Sequence, residues 1–548
     1  MHIGGNMNTK QVQSIVKAPE NSSAFDTAQI SGLSLKDQVL FEQFGQGPLV
    51  DLPFQRVHYG FEKFAKTQPQ AVAVDHLGRT ITYGELNRQA NQLSLELIQR
   101  GIGPGDYVGL FLERSIEMVI GIFAILKTGA AYIPQDARIT PSNQLRHILN
   151  TAQAKVVLTV SHLKHKIPLT DEVEMIAIDE LNLQSKTNKW GQLLPIKSQP
   201  EQDELCFLLF TSGTTGMPNG VKVSHENVIN IINTAPGNLG IRPGLKVSQI
   251  LNISFDMSAW ETLGALTNGA TLLIRGKDIG ETTRKADVII ATPSVLGGLD
   301  PEKHQNVKVV AVAGEPCPQA LADRWSEFCN FHNSCGPTET TIINTLQPYS
   351  PVARQLTIGR PTPNNTVYIL NEDLMPCKIG EIGEMWAGGK CVTKGYINND
   401  ALTNERYRPD PFLGGDHVMF RTRDLGRWTR NGELQHFGRT DDQVKIKGFR
   451  VELDSISTAL ESVSGCKQAV SLKLDSVTLV SFVKTNSINI ERCYDAVQAL
   501  LPYYCTPKII IPVTELPRTD RGKIDKRALT QLAVEKIEAA DKEQGELK

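Results

Sequence analysis

Cysteine pairs, long apolar runs and an excess of either charge are all missing from this sequence. The 57 basic and 59 acidic residues leave a net charge of −2, so no basic surface calls for nucleic acid and no acidic run calls for a basic partner. The longest apolar stretches, such as 118–126, are too short to span a bilayer. The first fifteen residues, MHIGGNMNTKQVQSI, hold no apolar signal core. Nine cysteines are scattered without a CxxC pair, which argues against a disulfide framework and a zinc site. Most are then expected to be buried thiols in a reducing compartment, which makes the expected location cytoplasmic.

At 548 residues the chain exceeds what one core holds, and domain sizes imply roughly two to four units. Hydrophobic content of 40% and charge of 21% are ordinary for a globular chain. Residues 1–45 are polar and weakly patterned, and read as a linker or arm. Thr82-Tyr-Gly-Glu85 has the form of a capping box, with Leu86, Ala90, Leu93 and Leu97 on one helical face and Gly101 at its close. Strands at 107–112, 131–134 and 155–160 alternate with helices at 115–127 and 141–151. The alternation resumes with helices at 228–232, 259–266 and 318–328 and strands at 247–253, 270–274, 288–291 and 307–313. Such a pattern favours parallel α/β sheets. From 361 to 395 glycines crowd among short β-like runs, the mark of a small barrel or sheet. The expected fold is a large α/β lobe over 46–439 with a β-barrel-like subdomain, a small α+β C-terminal lobe over 440–530, and a charged, fraying tail over 531–548.

One stretch organises the rest. The apolar run 205–210 ends in a loop with Gly213, Gly216 and Gly220 and four hydroxyls, on Thr211, Ser212, Thr214 and Thr215, followed by a short β-like run at 221–223. Glycines let backbone curl close to a ligand, and exposed N–H and O–H groups then surround an anion. A polyphosphate is the natural guest. The loop is not a P-loop, because Gly-Lys-Ser/Thr is missing. A Gly/Thr-rich loop alone is equally a flexible turn, so its companions decide.

Those companions stand in order: Leu126-Lys-Thr-Gly-Ala-Ala-Tyr-Ile-Pro134, Phe255-Asp-Met-Ser258, Asn333-Ser-Cys-Gly-Pro-Thr-Glu339, Arg421-Thr-Arg-Asp-Leu425, Gly438-Arg-Thr-Asp-Asp-Gln-Val-Lys-Ile-Lys-Gly448, Leu501-Pro-Tyr-Tyr504 and Gly522-Lys-Ile-Asp525. With the glycine loop between them, they make the chain resemble an adenylation domain of a nonribosomal peptide synthetase, within the adenylate-forming superfamily, from about Phe54 to Leu529. The resemblance implies ATP-dependent activation of a carboxylate as an acyl-AMP, then transfer to a phosphopantetheine thiol. Since one anion attacks another, placed positive charge should dominate catalysis.

The resemblance assigns the residues as follows. Thr211, Ser212, Gly213, Thr214, Thr215 and Gly216 would hold the β- and γ-phosphates. Glu339 would be the Mg²⁺-associated carboxylate, with Thr338 donating to a phosphate; one carboxylate plus phosphates and water suits Mg²⁺. Gly314, Glu315 and Pro316 would bind the base, Asp424 the ribose hydroxyls, and Arg439 the ribose or phosphates. Lys523 would be the mobile catalytic lysine, a point charge bridging substrate carboxylate and α-phosphate. Asp441 would be the hinge about which the small lobe swings, delivering Lys523 in one pose and the 444–448 segment in the other. The sequence departs from the family at three places: Asn219 where Lys is usual, Cys335 where an aromatic usually stacks on adenine, and Arg423 where Gly is usual.

Asp256 matches the family's partner for an α-ammonium group; a buried carboxylate is costly unless paired, which argues for an amino acid. As a helix N-cap the same residue serves folding equally well. By register the pocket wall would include Met257, Trp260, Ile290, Ala311, Ala313, Ser334, Ile342 and Ile343. Small and uncharged members imply a large neutral amino acid. The surroundings look most like fungal ferrichrome-type siderophore synthetases, which implies an N-acyl-N-hydroxyornithine. No carrier or condensation motif is visible, so the expected partners are a peptidyl carrier domain and a condensation domain of a larger synthetase. Two other readings stay open: a degenerate scaffold domain, motivated by Asn219, Cys335 and Arg423, and a CoA ligase for an aryl or fatty acid.

Overall fold

The computed structural model describes residues 27–136, 139–168, 173–183, 205–211, 217–353, 355–518 and 524–545. Two large sheets form the first lobe. One has six strands in the order Glu174–Ala177, Val156–Thr159, Tyr107–Phe111, Ala131–Gln135, Leu205–Thr211, Asn219–Ser224, parallel except for the last. The other has nine, parallel from Val72–His76 through Asn330–Cys335 and antiparallel at both edges. Val156–Thr159 and Ala131–Gln135 are buried at every position, as parallel strands covered on both faces must be.

The helices begin and end where the side chains dictate. Ser115 caps Ile116–Thr128 by accepting from the Met118 N–H at 3.1 Å, and Gly129 closes it at φ +85°, a conformation only glycine adopts cheaply. Every residue of that helix except Glu117 is buried, and Phe123 stacks on Phe61 with ring centroids 4.1 Å apart. Thr82 caps Tyr83–Gln99 in the same way, while Glu85 takes Arg88 and Gln89 with its carboxylate.

The glycine-crowded region is an antiparallel sheet of Asn365–Leu370, Gly383–Gly389, Val418–Trp428 and Tyr407–Pro409, with Leu434–Arg439 added on Val418–Trp428. The expectation of a loose arm over 1–45 fails for its second half. Leu35–Gly45 is a helix whose Phe41 stacks on Tyr368 and whose Phe44 packs on Trp428. Two aromatics one turn apart find a ready apolar face there, and that burial offsets the ordering cost.

After Leu434–Arg439 the chain enters a hairpin, Gln443–Ile446 and Phe449–Glu452, then a three-stranded sheet of Gln468–Lys473, Leu479–Lys484 and Ile509–Val513. Helices Leu453–Glu461 and Ile490–Leu500 help build one apolar cluster of this lobe. The expected frayed tail is corrected as far as Gly545: Lys526–Gly545 is one helix, and Leu529 and Ala533, four residues apart, are fully buried in a second cluster with Phe482 and Ile511, while 546–548 lie outside the described residues. Among the described residues no helix is long and apolar enough to cross a membrane.

Candidate active site between the lobes

A cavity of about 690 Å³ lies at the carboxyl ends of the parallel strands, where open α/β sheets place their ligands. The large lobe supplies one wall from the end of Leu205–Thr211, from Pro218, and from the turns after Val309–Val312 and Asn330–Cys335. The small lobe supplies the other from the hairpin and from Leu501, Pro502, Tyr504 and Cys505.

Of the expected nucleotide residues, Thr211, Gly314, Glu315, Pro316, Thr338, Asp424 and Arg439 all line this cavity, as does Asp441. Gly314 sits at φ +85°, which turns the chain after its strand. Glu315 accepts from the Ser294 N–H at 2.9 Å through Oε2, while its buried Oε1 has no hydrogen-bond partner among the described residues. Ser334 Oγ, also in the wall, is likewise buried and unpartnered. Buried polar atoms normally find partners, so these two orphans fit a polar ligand such as a nucleotide. Asp424 Oδ1 takes the Arg439 guanidinium at 3.0 Å and lies 3.2 Å from His436 Nε2. Arg439 also forks onto both oxygens of Asp441, at 2.8 and 2.9 Å. Arg423, where glycine is usual, stands at φ +63° and pairs with Glu405 and with Asp441. Ser212, Gly213, Thr214, Thr215, Gly216 and Lys523 lie outside the described residues.

Glu339 does not line the cavity. It sits in the single turn Thr338–Thr340, fully buried, behind the hairpin. Its two carboxylate oxygens each accept from Arg450 Nη1 at 3.0 Å, and the Tyr396 hydroxyl donates to Oε1 at 2.7 Å. Burial by itself would raise its pKa, but Arg450, Arg406 and Tyr396 outweigh that and hold it down at about 2. Among the described residues no group of three or more His, Cys, Asp or Glu is placed to hold a metal. In this lobe arrangement Glu339 is therefore already neutralised, and the residues present do not fit a Mg²⁺ ion beside it.

Asp256 lines the cavity at the first turn of the Asp256–Thr267 helix, where its Oδ1 accepts from the Met257 N–H at 2.8 Å. Burial raises its pKa, while the Lys445 charge and a hydrogen bond from Thr338 work the other way. Thr338, expected to serve a phosphate, here serves Asp256. Of the expected substrate wall, Met257, Ser334 and Ile342 face the cavity. Trp260, Ile290, Ala311, Ala313 and Ile343 are fully buried and form no part of its lining; Trp260 donates its indole N–H to the Gly237 carbonyl at 2.7 Å. Cys335 does line it, with its thiol pushed up to about 12 by burial.

Sequence reasoning missed four contributors. Arg450 and Tyr396 hold Glu339, and Phe449 stacks on Tyr504 at 3.9 Å while its edge meets Phe255 at 4.9 Å. Glu261, on the helix of Asp256, accepts from the Ile250 and Leu251 N–H groups and fixes the loop leading into that helix; burial pushes its pKa up to about 8. Three cations within six residues, Lys445, Lys447 and Arg450, were visible in the sequence, but not which of them faces the large lobe.

Comparison with known proteins gives this geometry relatives. A family model described as "AMP-binding enzyme" matches residues 61–397. The chain is 46% identical, over 93% of its length, to adenylate-forming reductase 03009 of Coprinopsis cinerea, and 33% identical, over 87%, to gramicidin S synthase 1 of Brevibacillus brevis. It spans about half the length of such relatives, 50% and 44% respectively. Its fold is like that of the Vibrio cholerae adenylation domain AlmE solved with glycyl-adenosine-5′-phosphate, with a TM-score of 0.77 at 23% identity, over 89% of this chain and 99% of that one.

Proposed function

Because the chain belongs to the AMP-binding enzyme family, we propose that it activates an amino acid with ATP and passes the acyl group to the phosphopantetheine thiol of a carrier domain. In the first half a substrate carboxylate oxygen bonds to the α-phosphorus and pyrophosphate leaves. In the second a thiolate bonds to the acyl carbon and AMP leaves. The observation that carries this reading is the single cavity that brings Asp256, the 314–316 turn and Asp424 together at the strand ends. Asp424 and Arg439 would hold the ribose, Glu315 and the 314–316 backbone the base, and Lys523 the reacting oxygens in the other lobe pose. Mg²⁺ would belong to that other pose, supplying charge to the phosphates.

The substrate assigned to the pocket is a large neutral amino acid, with an N-acyl-N-hydroxyornithine of siderophore synthesis as the specific candidate. Met257, Ser334 and Ile342 in the wall carry no charge, and Asp256 would meet the α-ammonium group. The names of the relatives favour two fates for the thioester. Likeness to peptide synthetases points to a condensation domain as partner. The 46% identity to an adenylate-forming reductase favours instead a reducing domain that releases the acyl group. Nine free cysteines accord with a reducing, cytoplasmic setting.

ATP–pyrophosphate exchange over a panel of amino acids, acylated hydroxyornithines and aryl acids tests the reading. Exchange with one amino acid, lost in Asp256→Ala, supports it. No exchange with any acid supports the scaffold reading. Exchange with aryl or fatty acids that Asp256→Ala leaves intact supports a CoA ligase.

A further inference from the structure

The segment that carries Asp256 into the cavity is tied down at its root. Its strand ends at Gln249, so at Ile250 and Leu251 four backbone groups need partners outside the sheet. Side chains meet all four. The Ile250 N–H donates to Glu261 Oε1 at 2.8 Å, and the Leu251 N–H lies 3.3 and 3.2 Å from the two oxygens of the same carboxylate. The Ile250 carbonyl accepts from Arg275 Nε at 3.0 Å, and the Leu251 carbonyl from Arg114 Nε at 2.9 Å. Gln249 Nε2 ties the bend to the helix: it reaches the Leu251 carbonyl at 2.8 Å, the Ser258 hydroxyl at 3.1 Å and Glu261 Oε2 at 3.3 Å.

Ser258 and Glu261, three residues apart, share one face of the Asp256–Thr267 helix. The clamp therefore closes on itself, from the bend through the helix and back to the bend. Ser254, Phe255, Asp256 and Met257 lie between its two ends and line the cavity, whereas Gln249, Glu261, Arg114 and Arg275 do not. Glu261 is fully buried, and a carboxylate suits its place because two neighbouring N–H donors meet two oxygens that only accept. A glutamine there would turn an NH₂ group toward one of those donors and leave it unsatisfied. We infer that Glu261 is a positioning residue for substrate selection: by pinning the Ile250–Leu251 bend it sets where the Asp256 carboxyl stands, and hence how strongly the site prefers an acid with an α-ammonium group over its des-amino counterpart. The inference rests on the reading of Asp256 as the partner of that ammonium group.

Pyrophosphate exchange on the whole chain, with acids in matched pairs, reads the preference directly. The pairs are L-leucine and isocaproic acid, L-phenylalanine and hydrocinnamic acid, and N-acetyl-N-hydroxyornithine and the same molecule without its α-amino group. The quantity compared is the ratio of kcat/KM within a pair. Misplacing a binding group by an ångström costs up to about a hundredfold, so Glu261→Gln should lower that ratio at least about tenfold. The loss should come through a higher KM for the amino acid, with the KM for ATP as in the native chain. Glu261→Asp, which keeps the charge but draws it back by one methylene, should fall between, and it decides alone where the glutamine variant does not fold. A residue needed only for folding would lower the melting temperature and the turnover of both acids together, leaving the ratio as it was. Two folded variants with the native ratio, or two that do not fold, overturn the inference. Asp256→Ala separates it from its premise. A preference that survives Asp256→Ala, or no native preference in any pair, means that Asp256 is not the ammonium's partner. A preference lost in Asp256→Ala but intact in both Glu261 variants leaves that reading standing and refutes the clamp.

Discussion

The interior of the large lobe and the contact between the lobes are built from opposite materials. Phe61 and Phe123 lie in a large cluster of buried apolar side chains, where each residue gains from the same burial whichever partner it meets. Between the lobes a few charges stand beside the Phe255–Phe449 edge contact: Arg450 with Glu339, Lys445 toward Asp256, and Arg439 and Arg423 with Asp441. An apolar core has nowhere else to go, because undoing it exposes all of it to water. A charged contact on a movable lobe can be exchanged for another ion of the same sign at little net cost. The first material suits a scaffold, and the second would suit the lobe swing proposed between the two half-reactions.

The contrast can be broken from its strong side first. Phe123→Ala should destabilise the large lobe by about 3–5 kcal/mol, read from its urea midpoint at unchanged slope. A loss under about 1 kcal/mol would mean that the core tolerates rearrangement as the lobe contact does. Asp256→Ala removes the buried carboxyl proposed to meet the substrate; kcat/KM in pyrophosphate exchange should fall by about 2–4 kcal/mol of transition-state binding, while the urea midpoint moves far less.

Acid offers a way to sharpen the comparison. Glu339 is held at about 2 in the docked structure, with Arg450 the largest cause lowering it, so losing that guanidinium on undocking lets the carboxyl bind a proton more readily. The contribution of docking is therefore lost as the pH falls toward that value. The separation of fluorescent labels, one on each lobe, should therefore grow as the pH falls, and Glu339→Gln should flatten the response. A native chain whose separation is constant from pH 5 to 2.5 would contradict it. The smallest effect is expected at Arg423, beside the proposed hinge. Arg423→Gly relieves about 1–2 kcal/mol of left-handed backbone cost but forfeits pairs with Glu405 and Asp441 worth about 0–1 kcal/mol each. The net change in melting should be near zero, with a broader spread of label distances as the clearer readout.

Much of the scaffold was legible in the chain. Ser115 and Gly129 mark both ends of a helix because each satisfies a backbone requirement met within four residues. The turn at Gly314 and the strand run into Thr211 are equally local. The Leu35–Gly45 helix was not legible, because only Tyr368, Phe412 and Trp428, more than 300 positions away, give Phe41 and Phe44 a place to go. The pocket was half legible: Met257, Ser334 and Ile342 reach it, whereas Trp260 and Ala311 lie behind it in the core.

By itself the sequence determined the alternation of strand and helix, the caps, and which residue types carry the chemistry, since these rest on period and on neighbours a few positions apart. Tertiary structure alone decided that Glu339 faces Arg450, 111 positions on, rather than open cavity. A buried carboxylate takes whatever cation the fold brings to it, and the fold brings that one on a separate lobe.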